Sequence, residues 1–263
     1  MGRYVYDMPR QKPIENPVKG CVVTKDSSAP RTELAYRRVK KDLMSGKLPG
    51  GEPLRIETLQ TNYQVGTTPL REALARLESE GFVELRHNRG FYATSLSVED
   101  FRDLIYSRKV IERALLERAI ERGGNAWEVD VIAAHHLLKK NAPDVGDPDV
   151  EQLEEWGKLH VAFHVALLSG AEAPRLLDMY RSNFEHLSRH QMALSILPAI
   201  NQAQQGAKAA RAAEEVLRRG MAIEEHTALM EAALSRDLER ALTLIDSHVQ
   251  LTPWQQGPQE VAK

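Results

Sequence analysis

Apolar positions follow a helical period through most of this chain and a strand period in one short stretch. Between Arg31 and Ser45, Leu34, Ala35, Val39 and Leu43 recur at helical spacing, and Gly46 closes the segment. Leu48 to Pro53 reads as a Pro/Gly turn, Glu57 to Tyr63 as a short helix and Gln64 to Thr67 as a tight turn. A third helix is expected to open at Thr68-Pro69, a side-chain cap followed by proline, and to run to about Glu80, where Gly81 stops it. Leu70, Ala73, Leu74 and Leu77 form its inward stripe. Phe82–Leu85 and Phe91–Thr94 then read as two short strands around the polar tip Arg86-His87-Asn88-Arg89-Gly90. Three helices and a β-hairpin over residues 31–96 make a winged helix-turn-helix.

From residue 97 the pattern is almost wholly helical. Candidate helices are 98–123, 126–141, 151–170, 173–195, 208–235 and 237–251, with breakers at Asn141–Pro148, Gly170–Pro174 and Pro198. Asn201–Ala210 is rich in Gln and Ala. Helices of this length imply an all-α bundle over 97–252. Residues 1–30, with four prolines and no sustained period, read as a flexible arm, and 253–263 as a frayed tail. The expected fold class is therefore mainly α, a winged helix-turn-helix followed by a helical bundle.

Composition narrows the function. With 263 residues and 42% hydrophobic content the chain can bury a sizeable core. No run approaches the ~18–20 apolar residues of a membrane span, and the N-terminus lacks an apolar signal region. Cys21 is the single cysteine, so internal disulfides and cysteine-based zinc sites are excluded. A cytoplasmic protein without a membrane partner is expected. The net charge of −2 conceals an asymmetry: residues 31–96 carry +3 (11 basic, 8 acidic), residues 97–263 carry −7 (19 basic, 26 acidic). Only the front is suited to a polyanion.

Double-stranded DNA is the expected polyanion. The first residues of a recognition helix face base edges in the major groove. Here those are Thr67, Thr68 and Arg71, with Arg76 further along the same exposed side. Arg71 suits guanine O6/N7, and the threonines suit a phosphate or a thymine methyl. His87, Asn88 and Arg89 at the wing tip would lie near the minor groove or backbone.

In the helical region four histidines each sit on an apolar stripe. His160 and His164, four apart, share a helix face with Trp156, Phe163 and Leu167. His226 has Ile223 and Met230 beside it, and His248 has Leu244, Ile245 and Leu251. Buried imidazoles need partners. Either a shared divalent metal supplies one, or each ring bonds separately to a backbone carbonyl. All-nitrogen ligation suits Zn²⁺ first, with Ni²⁺ or another transition metal as the alternative. A metal-dependent hydrolase is the enzyme alternative. His160-Val161-Ala162-Phe163-His164 lacks the glutamate that would follow the first histidine of a metalloprotease helix, and no G-x-S-x-G, P-loop or dinucleotide pattern occurs. A ligand-independent DNA binder is the remaining alternative.

Residues 34–94 resemble the GntR family winged helix-turn-helix. The resemblance is carried by Leu48-Pro49-Gly50-Gly51-Glu52-Pro53-Leu54, by the stretch from Val65 to Glu78 around Thr68-Pro69-Leu70-Arg71-Glu72-Ala73-Leu74, by Glu80-Gly81-Phe82-Val83 and by Arg89-Gly90-Phe91. Gly66-Thr67 replaces the family's usual Ser-Arg, and Leu59-Gln60 its usual Leu-Ala. Residues 98–250 resemble the FCD ligand-binding domain of the FadR-type subgroup. They do so through Arg108 to Ala114, His160 to Leu167, Glu225 to Ala233, Asp237, Ala241 and His248. The resemblance implies a metal set of His160, His164, His226 and His248. His160 stands where the family more often has Asp or Asn. Four neutral imidazoles leave the ion doubly positive, which favours a small carboxylate effector. Arg108 would pair with that carboxylate, or with Glu112 in a salt bridge. Arg181 and His186 are expected on the helix lining the same cavity, with His186/His190 a rival metal pair. The resemblance further implies a homodimeric repressor of an organic-acid operon, released by its effector, whose two recognition helices read a pseudo-palindrome.

Overall fold

The computed structural model describes residues 29–144, 150–198, 200, 211, 214, 215, 218 and 221–250. The tail, the arm up to residue 28 and the Gln/Ala-rich stretch at 201–210 lie outside the described residues.

The winged domain comprises α1 (Arg31–Met44), α2 (Ile56–Tyr63), α3 (Thr67–Ser79) and an antiparallel hairpin of β1 (Val83–Arg86) and β2 (Gly90–Ala93). Val83 lies opposite Ala93 and Arg86 opposite Gly90. The apolar stripes close on one core of Val39, Leu43, Leu70, Leu74, Leu77 and Phe82. The expected side-chain cap of α3 is not formed. Gly66 is the N-cap residue, no hydroxyl caps the helix, and Thr67 and Thr68 are its first two residues. The Gly66 backbone is extended, and Thr67 and Thr68 are both exposed.

The helical region comprises α4 (Val98–Arg122), α5 (Asn125–Lys140), α6 (Val150–Ser169), α7 (Pro174–Gln191), α8 (Ile223–Leu234) and α9 (Leu238–Gln250). Ser97 caps α4 by accepting a hydrogen bond from the Asp100 amide at 3.0 Å. α7 continues into a π-helical turn at Met192–Ile196, which the helical period at 173–195 did not predict. Of the helix expected at 208–235, Ile223–Leu234 is a continuous element, entered through Ala222 at a left-handed φ of 31°.

Trp127 fixes how these helices meet. Its indole N–H donates to the Leu167 carbonyl at 3.0 Å. The ring fills space left by two glycines. A Cβ on Gly123 would stand 2.3 Å from it, and one on Gly170 3.0 Å. Arg236 lies 4.8 Å over its ring and donates to the Ile120 and Gly123 carbonyls. One aromatic side chain thus locks α4, α5, α6 and the turn before α9, so α6, α8 and α9 present their histidines to a common point beside α4.

Candidate metal centre and DNA-binding surface

α6 presents His160 and His164 one turn apart, α8 presents His226 and α9 presents His248. One ligand atom from each ring lies within 4.8 Å of all the others. The Nε2 atoms of His160 and His164 are 3.2 Å apart. On three of the four rings the outward nitrogen faces an oxygen, although His164 Nδ1 makes no hydrogen bond among the described residues. His226 donates from Nδ1 to the Ala222 carbonyl at 2.8 Å, His248 Nδ1 lies 3.4 Å from Glu225, and His164 Nδ1 lies 3.3 Å from Glu112. A proton held at Nδ1 leaves the Nε2 lone pair free for an ion. His226 Nε2 is buried with no hydrogen-bond partner among the described residues. Among the described residues, only His226 of the four has the backbone partner that four separate core histidines would each need.

Burial, reinforced by the neighbouring imidazoles and Arg108, holds His160 and His164 well below the ordinary histidine pKa. The same burial pushes His226 down to about 3 and His248 to about 4. All four are neutral near pH 7, which is the ligating form. The donor set fits a borderline transition-metal ion: four neutral imidazoles converge, and the inner nitrogen of His226 is buried without a partner among the described residues.

The surroundings are polar at one side and aromatic at the other. Glu112 Oε1 accepts from the Tyr180 hydroxyl at 2.8 Å and pairs with Arg108 Nε at 3.1 Å. Arg108 is 4% exposed, lies 4.8 Å over the Phe184 ring and leaves Nη2 unpartnered among the described residues. Trp156 stacks on His160 with centroids 5.0 Å apart, its indole N–H also unpartnered there. The sequence signals Trp156 only as a marker of the buried face and Glu225 only within the family resemblance, and gives Tyr180 no place in the site. It held Glu112 only as a partner for Arg108, although a carboxylate on the buried stripe of Leu115, Leu116 and Ala119 signals a paired charge.

Two expected pocket residues lie elsewhere. Arg181 is half-exposed and pairs with Asp178 at 2.9 Å. His186 stacks on Phe82 of the winged domain at 4.3 Å and bonds the Glu80 carbonyl. Helical phase is the reason. Tyr180, Phe184 and Leu187 face the bundle, which turns positions 181 and 186 away from the cluster. Nor do His186 and His190 form a metal pair, because His190 donates from Nδ1 to the His186 carbonyl and sets Nε2 2.9 Å from Asp100.

On the winged domain, Thr67, Thr68 and Arg71 are exposed at the start of α3. The Arg71 side chain has no hydrogen bond or ion pair among the described residues. Thr67 and Arg71, together with Arg55, Arg89 and Phe91, border a groove of about 340 Å³ between α2, α3 and the wing. His87, Asn88 and Arg89 are exposed at the wing tip, where Asn88 takes a left-handed φ of 58°. Arg76 differs from Arg71. It pairs with Glu33 and Glu80 at 3.1 Å and lies 3.6 Å over the Tyr36 ring, so its guanidinium is engaged with α1 rather than presented beside Arg71.

Comparison with known proteins agrees with this architecture. Residues 31–93 match the family described as bacterial regulatory proteins, gntR family, and residues 103–251 match the FCD domain. The HTH-type transcriptional repressor GlaR of Escherichia coli K12 is 33% identical over 218 residues, covering 83% of this chain and 91% of that protein. The uncharacterized HTH-type transcriptional regulator BphR of Paraburkholderia xenovorans LB400 is 30% identical over 222 residues, covering 83% and 82%. Among solved structures, E. coli McbR/YncC superposes with a TM-score of 0.60 at 21% identity over 84% of this chain and 94% of that one, a likeness of fold. Among the described residues no helix is long and apolar enough to cross a membrane. This chain belongs to the GntR family of bacterial DNA-binding transcriptional regulators, in the group with an FCD domain, and not to a family of enzymes.

Proposed function

We propose that this regulator is a homodimeric repressor of an organic-acid catabolic or transport operon, released when a small carboxylate binds beside a divalent ion, Zn²⁺ in the first instance. The observation that carries the reading is the convergence of four neutral imidazoles to within 4.8 Å of one another. His160, His164, His226 and His248 would hold the ion. A doubly positive ion ringed only by neutral ligands favours an anion as its next partner. Arg108, with a buried and unpartnered Nη2, stands at the edge of the cluster as a second anchor for a carboxylate. Thr67, Thr68 and Arg71 would read bases, and His87, Asn88 and Arg89 would meet the backbone or minor groove. The name of the GlaR repressor supports the direction of regulation.

The test is thermal melting of the purified chain against a panel of mono- and dicarboxylates, with and without chelator. A ligand confined to the folded state raises the melting point with concentration. One acid should do so, and chelation should abolish the shift. A shift that survives chelation would move recognition from the histidines to Arg108. No shift with any acid would overturn the effector class.

A further inference from the structure

Helix α7 touches two regions at once. Towards the bundle, Tyr180 donates to Glu112, and the Phe184 ring lies 5.7 Å from His160. On its other side the next residues grip the winged domain. His186 stacks on Phe82 with an interplanar angle of 12° and donates from Nε2 to the Glu80 carbonyl at 2.9 Å. Glu185 accepts from Lys40 at 2.9 Å, and Lys40 also reaches the Glu80 carboxylate at 3.1 Å. Arg189 donates to the Thr94 carbonyl at 2.9 Å. Glu80 is the C-cap residue of α3, the expected recognition helix. Gly81, at φ +80°, leaves the space the ring needs, since a Cβ there would stand 3.3 Å from His186 Cε1.

We propose that α7 couples the histidine cluster to the recognition helix, with His186 as the positioning residue that holds the α3 C-terminus through the Glu80 carbonyl. The inference rests on reading the cluster as the ligand site. Phe184 and His186 are separated by ~3 Å of helix rise, so a continuous helix cannot shift one without the other. A ligand that draws Glu112, Tyr180 and Phe184 towards the cluster therefore displaces the ring that anchors α3. The Lys40–Glu185 pair is partly exposed and adds little by itself. The ring stack and the backbone hydrogen bond carry the link.

The test is hydrogen exchange of amides 77–83 in the full, metal-stripped chain, with and without Zn²⁺. In the unmodified protein Zn²⁺ should change exchange there by roughly fivefold or more, the lower end of ordinary coupling between sites. His186→Ala should lose that response while taking up the same amount of Zn²⁺, and His186→Gln, which retains an N–H donor, should keep part of it. An equal response in His186→Ala, or none in unmodified protein that has bound Zn²⁺, would overturn the proposal. Should the unmodified protein take up no Zn²⁺, the ligand-site reading fails by itself. Tyr180→Phe, which disturbs the Glu112 end directly, then decides: it must alter exchange at 77–83 in the unmodified background and not in His186→Ala, and any other result overturns the coupling.

Discussion

In the winged domain, Thr67, Thr68, Arg71 and Arg89 are exposed, and their side chains make no hydrogen bond or ion pair among the described residues. In the helical bundle, His164, His226 and Glu112 are fully buried and surrounded by one another. The exposed set incurs no desolvation cost until a polyanion arrives, and its removal leaves the fold alone. The buried set is costly wherever its polar atoms lack partners. Exposed charge without a partner points to a macromolecule. Buried polarity without enough partners points to a small ligand.

The sharpest way to break this contrast is to remove the buried set. His164→Ala combined with His226→Ala should abolish metal retention, measured by elemental analysis after gel filtration, while the double variant still binds DNA. Unchanged metal content would show that these rings are core residues after all. Arg71→Ala comes next. Loss of a bidentate base contact costs about 1–3 kcal/mol and relaxes specificity at one base pair. Arg76→Ala should cost operator affinity less and fold stability more, because its guanidinium is held by Glu33, Glu80 and Tyr36. Footprinting and urea melts of the two variants separate these outcomes, and identical footprint losses would erase the distinction drawn between the two arginines.

Gly123→Ala tests the scaffold that makes the histidines converge. An added methyl 2.3 Å from Trp127 has nowhere to go, so denaturant melts should show a loss of about 1–3 kcal/mol. The exposed wing has no such constraint, since a Cβ on Gly90 meets no atom within 4 Å, although its φ of +84° still penalises a side chain.

The buried set also governs pH dependence. In metal-stripped protein the cluster histidines resist protonation, with His226 near 3 and His248 near 4, whereas an unfolded chain takes up those protons near 6.5. The unfolded state binds more protons as pH falls, so their contribution is complete above pH 6.5 and is lost progressively towards pH 4. His226→Ala should flatten that part of a urea-midpoint profile, and a profile unchanged by the substitution would contradict the burial of this ring.

Both domains are legible in the sequence wherever one face of an element is buried and the other wet. α1, α3 and the hairpin fall into this class, and so do the stripes that carry His226 and His248. The reading goes astray where an element has two buried faces. α7 packs Tyr180, Phe184 and Leu187 on the bundle and His186 on the winged domain, so both sides carry polar residues and the helical phase is ambiguous. His186 therefore reads as a pocket residue when it is an interdomain one. The α3 cap misleads for a different reason. Threonine, glycine and proline at 66–69 all suit a helix start, and only backbone geometry settles that Gly66 takes the cap position.

His186 recognises an oxygen of the main chain rather than a side chain of the winged domain. Every residue type at position 80 offers that same oxygen, so the bond imposes no matching choice of amino acid on its partner. Pairwise co-variation detects contacts in which one substitution demands another. Across an alignment of relatives, position 186 would then vary or persist without an echo at position 80, while Gly81, whose missing side chain makes room for the ring, would carry the evolutionary trace of the contact.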